Sequence, residues 1–120
     1  ELLEKAKDPG TNPHLNTMEK FFQEAEKIDP DTVLSTQKIL SHFAPCIVIN
    51  RVQTPSDANV GKVLQGMMQQ YVSIKSLVLT ALPEDPAVKK SINRLKPIVI
   101  EDPESGFSRA LKQLAEELTD

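Results

Sequence analysis

One apolar run constrains the fold of this chain more than any other segment. The four residues that follow Pro45 are Cys-Ile-Val-Ile, and the polar pair Asn50 and Arg51 ends the run. A strand that is apolar on both faces lies inside a sheet that is covered on both sides, as parallel sheets are. The run therefore predicts a buried strand over about residues 46–52, with polar side chains at its carboxyl end.

The segments after this run repeat a strand and helix pattern. A helical apolar stripe begins after Asp57, and its members are Val60, Val63, Leu64, Met67 and Tyr71. Residues 76–82 and 97–100 are apolar enough to predict a second and a third strand. Two strands joined by a helix of this length form a βαβ unit, whose strands are parallel. We therefore expect an α/β fold that is part of a doubly wound parallel sheet, with three recognisable strands in a Rossmann-like, three-layer architecture.

Two regions follow from this pattern. Residues 1–45 are predicted to be a helical segment, in which residues 8–10 end a first helix and Asp29 caps another that starts at Pro30. Residues 46–120 are predicted to form a βαβαβα unit. Three strands are few for a parallel sheet, so we expect the chain to be the C-terminal part of a larger doubly wound domain.

Composition narrows the functional classes. The 120 residues are 39% hydrophobic and 26% charged, which suits one ordinary core, and no apolar run approaches the roughly 20 residues of a membrane-spanning helix. A net charge of −3 argues against a generic nucleic-acid binder. The single cysteine, Cys46, is interpreted as a small core residue in a reducing compartment. His14 and His42 lack neighbours at metal-ligand spacing, so no metal site is predicted.

Polar residues stand at the ends of the first two predicted strands. Asn50 and Arg51 end the first, and residues 83–85, Pro-Glu-Asp, follow the second. Ligands of open parallel sheets bind at the carboxyl ends of the strands, where these groups would converge. The amide of Asn50 can pair with the N6 amino group and N7 of adenine, while Arg51 could cover a ring face or neutralise phosphate and Pro83 could press on the other face.

Each of these residues also has an ordinary structural explanation. Asn is common at strand ends and in turns, Pro83 is a usual loop residue, and Asp85 before Pro86 is explained as a helix N-cap. The basic residues Lys89, Lys90, Arg94 and Lys96 fit a solvated helix face better than a nucleic-acid surface. The closing helix has an acidic polar face with Glu116, Glu117 and Asp120, which favours packing on the sheet over membrane binding.

The order of these segments resembles a known family. IVINRV, then LVLTALPEDPAVKKSINRLKPIV, then DPESGFSRALKQLAEEL is similar to the C-terminal half of the deviant-Walker P-loop ATPases, the MinD/ParA group, and nearest to the branch with MinD and the flagellar-number regulator. The resemblance covers about residues 29–118. It is carried by short motifs that occur in the family's order: Asn50 and Arg51, residues 83–85, residues 96–99 and residues 103–105.

The resemblance implies a nucleotide-binding role. Asn50 would recognise adenine with Arg51 beside it, and the loop of Pro83, Glu84 and Asp85 would line the other side of the base. The intact protein would use ATP with Mg²⁺, form a homodimer when ATP is bound, respond to a protein regulator, and position division sites, chromosomes or flagella in the cytoplasm. The chain has no G-x-x-x-x-G-K-[ST] segment, so we expect the P-loop half to lie upstream and this piece to bind nucleotide weakly and hydrolyse none.

A second interpretation stays open. The chain could be a non-catalytic α/β module that binds or regulates another protein. No residue is assigned a catalytic role under either interpretation.

Overall fold

A computed structural model describes residues 1–8 and 10–119, so Pro9 of the predicted helix-ending turn and Asp120 of the predicted acidic face lie outside the described residues. In chain order the elements are α1 (Leu2–Ala6), a short 3-10 helix (Pro13–Leu15), α2 (Met18–Glu26), α3 (Pro30–Ser41), β1 (Cys46–Ile47), α4 (Pro55–Val72), β2 (Leu77–Val78), α5 (Pro86–Asn93), α6 (Ile98–Glu101) and α7 (Gly106–Thr119). None of the helices in these described ranges combines the length and apolarity that crossing a membrane requires.

The expected fold class is wrong. The structure is mostly helical, at 62%, and its described residues contain only a two-stranded parallel sheet. The two strands, β1 and β2, lie within the first and second predicted strands, and α4 connects them. A three-stranded, doubly wound sheet with a Rossmann-like, three-layer architecture is therefore not what this chain forms.

The third predicted strand is a single helical turn. Three consecutive β-branched residues favoured a strand there, but residues 98–101 form α6. Pro97 suits the start of a helical turn because it has no N–H that would be left unpaired. Its carbonyl accepts from the N–H groups of Ile100 and Glu101, both at 3.0 Å, and only Ile98 of the turn is buried. Local backbone hydrogen bonds thus replaced the expected sheet pairing.

The first strand is shorter and more exposed than predicted. Beyond Ile47 the chain keeps hydrogen bonds to the second segment, including Leu82 N–H to the Ile49 carbonyl at 2.9 Å, but the regular ladder stops. Arg51 has a φ of 58°, a left-handed conformation that an extended strand cannot contain. Cys46 is exposed and residues 47–49 are only partly buried. The expectation of a strand covered on both faces, with Cys46 in the core, was therefore wrong.

The chain divides into two compact units. The first unit comprises Glu1–Pro45 and Val63–Leu77, and the second comprises Cys46–Lys62 and Val78–Asp120. In the first unit α2 packs against α3 and the 3-10 helix, and the buried apolar side chains are Leu15, Phe22 and Val33. In the second unit the buried apolar side chains are Ile98 and Leu114, in α6 and α7.

Gly61 sets how closely α4 approaches the strands in the second unit. It is the buried residue of α4, and a Cβ placed on it would lie 2.8 Å from Cγ1 of Val78 and 3.4 Å from Cγ1 of Ile49. Any larger residue would therefore push the helix from the strands. The stripe predicted to pack is instead exposed, with Val60, Val63, Leu64, Met67 and Tyr71 all at least 39% accessible.

Candidate functional site

The second unit contains a cleft lined by every residue that the sequence predicted for a binding site. Its volume is about 390 Å³, and we call it the Asn50 cleft. The predicted residues that line it are Asn50, Arg51, Pro83, Glu84 and Asp85. Four further residues complete the lining: Val88, Lys89, Ile92 and Phe107. The volume lies within the range of about 300–1,000 Å³ that is usual for small-molecule sites.

Backbone hydrogen bonds bring the two predicted segments together. Val52 N–H donates to the carbonyl of Leu82 at 3.0 Å, and Glu84 N–H donates to the carbonyl of Val52 at 2.9 Å. Val52 also forms a parallel bridge with Pro83. The segment after β1 and the segment after β2 therefore run side by side, so residues that follow each strand meet at one edge, as parallel pairing requires.

The turn at Arg51 fixes the orientation of Asn50. Arg51 adopts the left-handed conformation, and its N–H donates to Oδ1 of Asn50 at 2.9 Å. A non-glycine residue persists in this conformation only where its surroundings hold it. The Asn50 oxygen keeps a second lone pair, and its amide nitrogen has two N–H groups, so the side chain retains an acceptor and a donor for a ligand.

Glu84 joins the two sides of the cleft. Its Oε1 accepts from Nη2 of Arg51 at 2.9 Å, and its Oε2 accepts from the side-chain amide of Gln53. The hydrogen bond from Gln53, and after it the hydrogen bond and charge of Arg51, hold the pKa of Glu84 below its ordinary value. Glu84 is therefore an ionised group whose two oxygens are both engaged by the segment that follows β1.

Asp85 has a structural task. One oxygen accepts from Ala87 N–H at 2.9 Å, which caps α5, and the other accepts from Phe107 N–H at 3.1 Å, at the start of α7. These backbone donors, Ala87 first and then Phe107, lower the pKa of Asp85. The prediction that Asp85 is an N-cap is confirmed. With both oxygens bound to backbone, Asp85 shapes the floor of the cleft by holding two helices.

Apolar side chains form the remaining walls. Pro83, Val88 and Phe107 are partly buried and Ile92 is 64% exposed, while Lys89 adds a second cation to the lining. Apolar walls with a polar edge at Asn50 suit a flat, partly polar ring. The sequence reasoning missed Phe107 and Gln53. Phe107 follows the loop between α6 and α7, and that loop was the sequence signal that could have indicated it. No sequence signal indicated Gln53, because its role depends on its contact with Glu84.

The first unit holds other cavities that the predicted residues do not line. One, of about 420 Å³, is bordered mainly by residues of α2 and α3, including Glu19, Glu26 and Phe22. Another, of about 340 Å³, is mostly apolar and includes Phe21 and Ile28. The first of these cavities also has side-chain amides, from Gln23 and Gln37, but neither cavity is lined by residues that follow the two strands.

The chain was compared with protein families, curated proteins and solved structures. No protein-family model matches the chain, and the comparisons with curated proteins and with solved structures find no significant match.

Proposed function

We propose that the Asn50 cleft binds the adenine ring of a nucleotide. The observation that carries the proposal is the convergence of Asn50, Arg51 and Pro83 with apolar walls in one cleft of suitable size. Asn50 would accept from the N6 amino group and donate to N7, a pairing that an asparagine amide makes in one plane. The apolar walls would contact the ring faces.

On this proposal the chain supplies the base side of an ATP site in a ParA/MinD-like ATPase. The support is the resemblance of its motifs together with the cleft that two of these motifs line, Asn50 with Arg51 and residues 83–85. Magnesium and the phosphates would be held by the P-loop half expected upstream, so ATP hydrolysis belongs to the whole protein. In that protein, ATP would drive homodimerisation, ADP would be released, and a regulator would stimulate the cycle in the cytoplasm.

A nuclear magnetic resonance titration of the 120-residue chain tests adenine binding. Adenosine is expected to shift the side-chain amide signals of Asn50 and the backbone signals of Val88 and Phe107, with weak affinity because it offers no phosphate. Guanosine should shift them less, because its 6-oxo group cannot donate to Asn50. The N50A variant should lose this preference.

Asn93→Ala is the matched control, because Asn93 lies in the same unit and does not line the cleft. It should bind adenosine as the unchanged chain does. Equal shifts with adenosine and guanosine, or shifts confined to residues outside the cleft, would contradict the proposal.

A second candidate function is a protein-interaction module. Apolar side chains of the second unit that stand exposed within nine residues favour it: Ile92 (64%), Leu95 (91%), Val99 (45%) and Ile100 (75%). Exposed apolar surface is typical of contact with another protein. Light scattering separates the two candidates, since self-association that is unaffected by adenosine but abolished by L95S and I100S would support the module.

A further inference from the structure

Two residues that line the Asn50 cleft, Arg51 and Glu84, form an ion pair. The carboxylate of Glu84 would therefore compete with a nucleotide phosphate for the Arg51 guanidinium. Arg51 Nη2 lies 2.9 Å from Glu84 Oε1, and the Arg51 side chain is 74% exposed, so solvent and ligands can reach it. The amide of Gln53 holds the other carboxylate oxygen. The guanidinium is thus already bound to an anion before any ligand arrives.

This arrangement differs from a flexible surface pair because the backbone of both partners and the carboxylate of Glu84 are held by further hydrogen bonds. The left-handed backbone at Arg51 and the hydrogen bond from its N–H to Asn50 set where the arginine side chain starts. The hydrogen bond from Glu84 N–H to the Val52 carbonyl and the contact with Gln53 set the carboxylate. Flexible ion pairs on a protein surface contribute little free energy because ordering both side chains costs entropy. Here the surrounding hydrogen bonds already order part of the pair.

We propose that Glu84 is a specificity-determining residue, which occupies Arg51 and so makes the Asn50 cleft select for the base and not for the adjoining phosphate. The inference rests on the proposed adenine binding. A phosphate group would either displace Glu84 or share the Arg51 guanidinium with it, beside a carboxylate of like charge, and in both cases the attraction that the phosphate gains from Arg51 is reduced. Gln53 assists as a positioning residue, because it keeps Glu84 turned towards Arg51.

The test compares two ligands that differ by one phosphate, adenosine and AMP, on the same chain. For the unchanged chain, the two dissociation constants should be nearly equal. E84Q removes the competing charge but keeps the side-chain shape, and we expect it to raise the preference for AMP about threefold to fivefold. The double variant R51A/E84Q should return the ratio to that of the unchanged chain.

Glu24→Gln is a close control for the loss of one negative charge. Glu24 pairs with Lys27 at 2.8 Å, and its side chain is 39% exposed, against 37% for Glu84. It should leave the AMP preference unchanged. A preference that stays the same in E84Q, or that rises as much in Glu24→Gln, would overturn the inference.

The same titrations distinguish this inference from the proposed function. Adenosine alone reports on base binding, since it carries no phosphate. If adenosine shifts Asn50 and E84Q leaves the AMP preference unaltered, only the role of Glu84 is wrong. If adenosine leaves the cleft residues unshifted, the proposed function fails and takes the inference with it.

Discussion

Residues 1–45 of the first unit and the residues of the second unit differ in how far apart in sequence their hydrogen-bonded side chains lie. In residues 1–45 the described side-chain hydrogen bonds join residues no more than four positions apart, such as Asp29 with Thr32. In the second unit they join distant segments, such as Thr80 N–H with Glu117 at 2.8 Å and Asp85 with Phe107. The difference shows that the side-chain hydrogen bonds of residues 1–45 stabilise their helices locally, whereas the second unit also depends on bonds between distant segments.

The two Asp-Pro helix starts show this contrast with the same dipeptide. Asp29 accepts from Thr32 N–H at 3.1 Å and from the Thr32 hydroxyl at 2.6 Å, so both of its bonds stay within α3. Asp85 divides its bonds between α5 and α7. One residue type in one sequence context therefore serves one helix in the first unit and two in the second.

The largest expected effect comes from the two glycines of α4. G61A should lower the free energy of unfolding by about 1–3 kcal/mol, because its Cβ would lie 2.8 Å from Val78 and the helix would have to move. G66A should raise it by about 0.5–1 kcal/mol, because Gly66 has open space around it and alanine favours the helix. Urea denaturation measures the free energy of unfolding of both variants. Changes of the same sign would contradict the difference in packing around the two glycines, of which Gly61 lies in the second unit and Gly66 in the first.

The next effect concerns the two capping aspartates. D85A should lower the melting temperature roughly twice as much as D29A, because two helix starts lose an acceptor instead of one. D85N should lie between the unchanged chain and D85A, since asparagine keeps one acceptor oxygen for α5. Thermal denaturation followed by circular dichroism measures all three. Equal losses in D85A and D29A would show that the bond to Phe107 contributes nothing.

The smallest effect is the response to acid. The pKa of Asp85 is lowered mainly by Ala87 N–H, and that of Asp29 mainly by the Thr32 hydroxyl. A carboxyl group with a lowered folded pKa stabilises the fold above its unfolded pKa, and this contribution is lost as the pH falls through the folded value. Below about pH 4, the Phe107 and Thr32 amide signals should therefore shift as Asp85 and Asp29 gain protons.

The position of these shifts sharpens the comparison. Protonation of Asp29 should perturb amide signals of α3 alone, whereas protonation of Asp85 should perturb signals at the starts of both α5 and α7. Amide spectra recorded from pH 6 downwards measure this. A perturbation confined to α5 would contradict the double role of Asp85.

Local features could be predicted from the sequence, and features decided by pairing could not. Asp29 and Asp85 were recognised as caps because an N-cap depends on residues next to it. The third strand was predicted wrongly because three β-branched residues favour a strand only where a neighbouring strand is present to pair with them. At residues 97–101 the backbone bonded to itself instead.

The candidate site shows the same division. The rule that polar residues gather at the carboxyl ends of parallel strands selected Asn50, Arg51 and residues 83–85, and all of them line one cleft. That rule requires only two parallel segments, and the structure has two, although the expected three-stranded sheet is absent from its described residues. The bond from Gln53 to Glu84 joins residues 31 positions apart, and no local pattern indicates such a contact.

The double cap at Asp85 also constrains the order in which the second unit folds. Its bond to Ala87 spans two residues and can form as soon as the first turn of α5 does. Its bond to Phe107 closes a segment of 22 residues, whose ends meet only after the intervening chain has lost much of its freedom. We therefore expect the carboxylate to cap α5 early in folding and to bind the start of α7 later, so that a single side chain contributes at two stages.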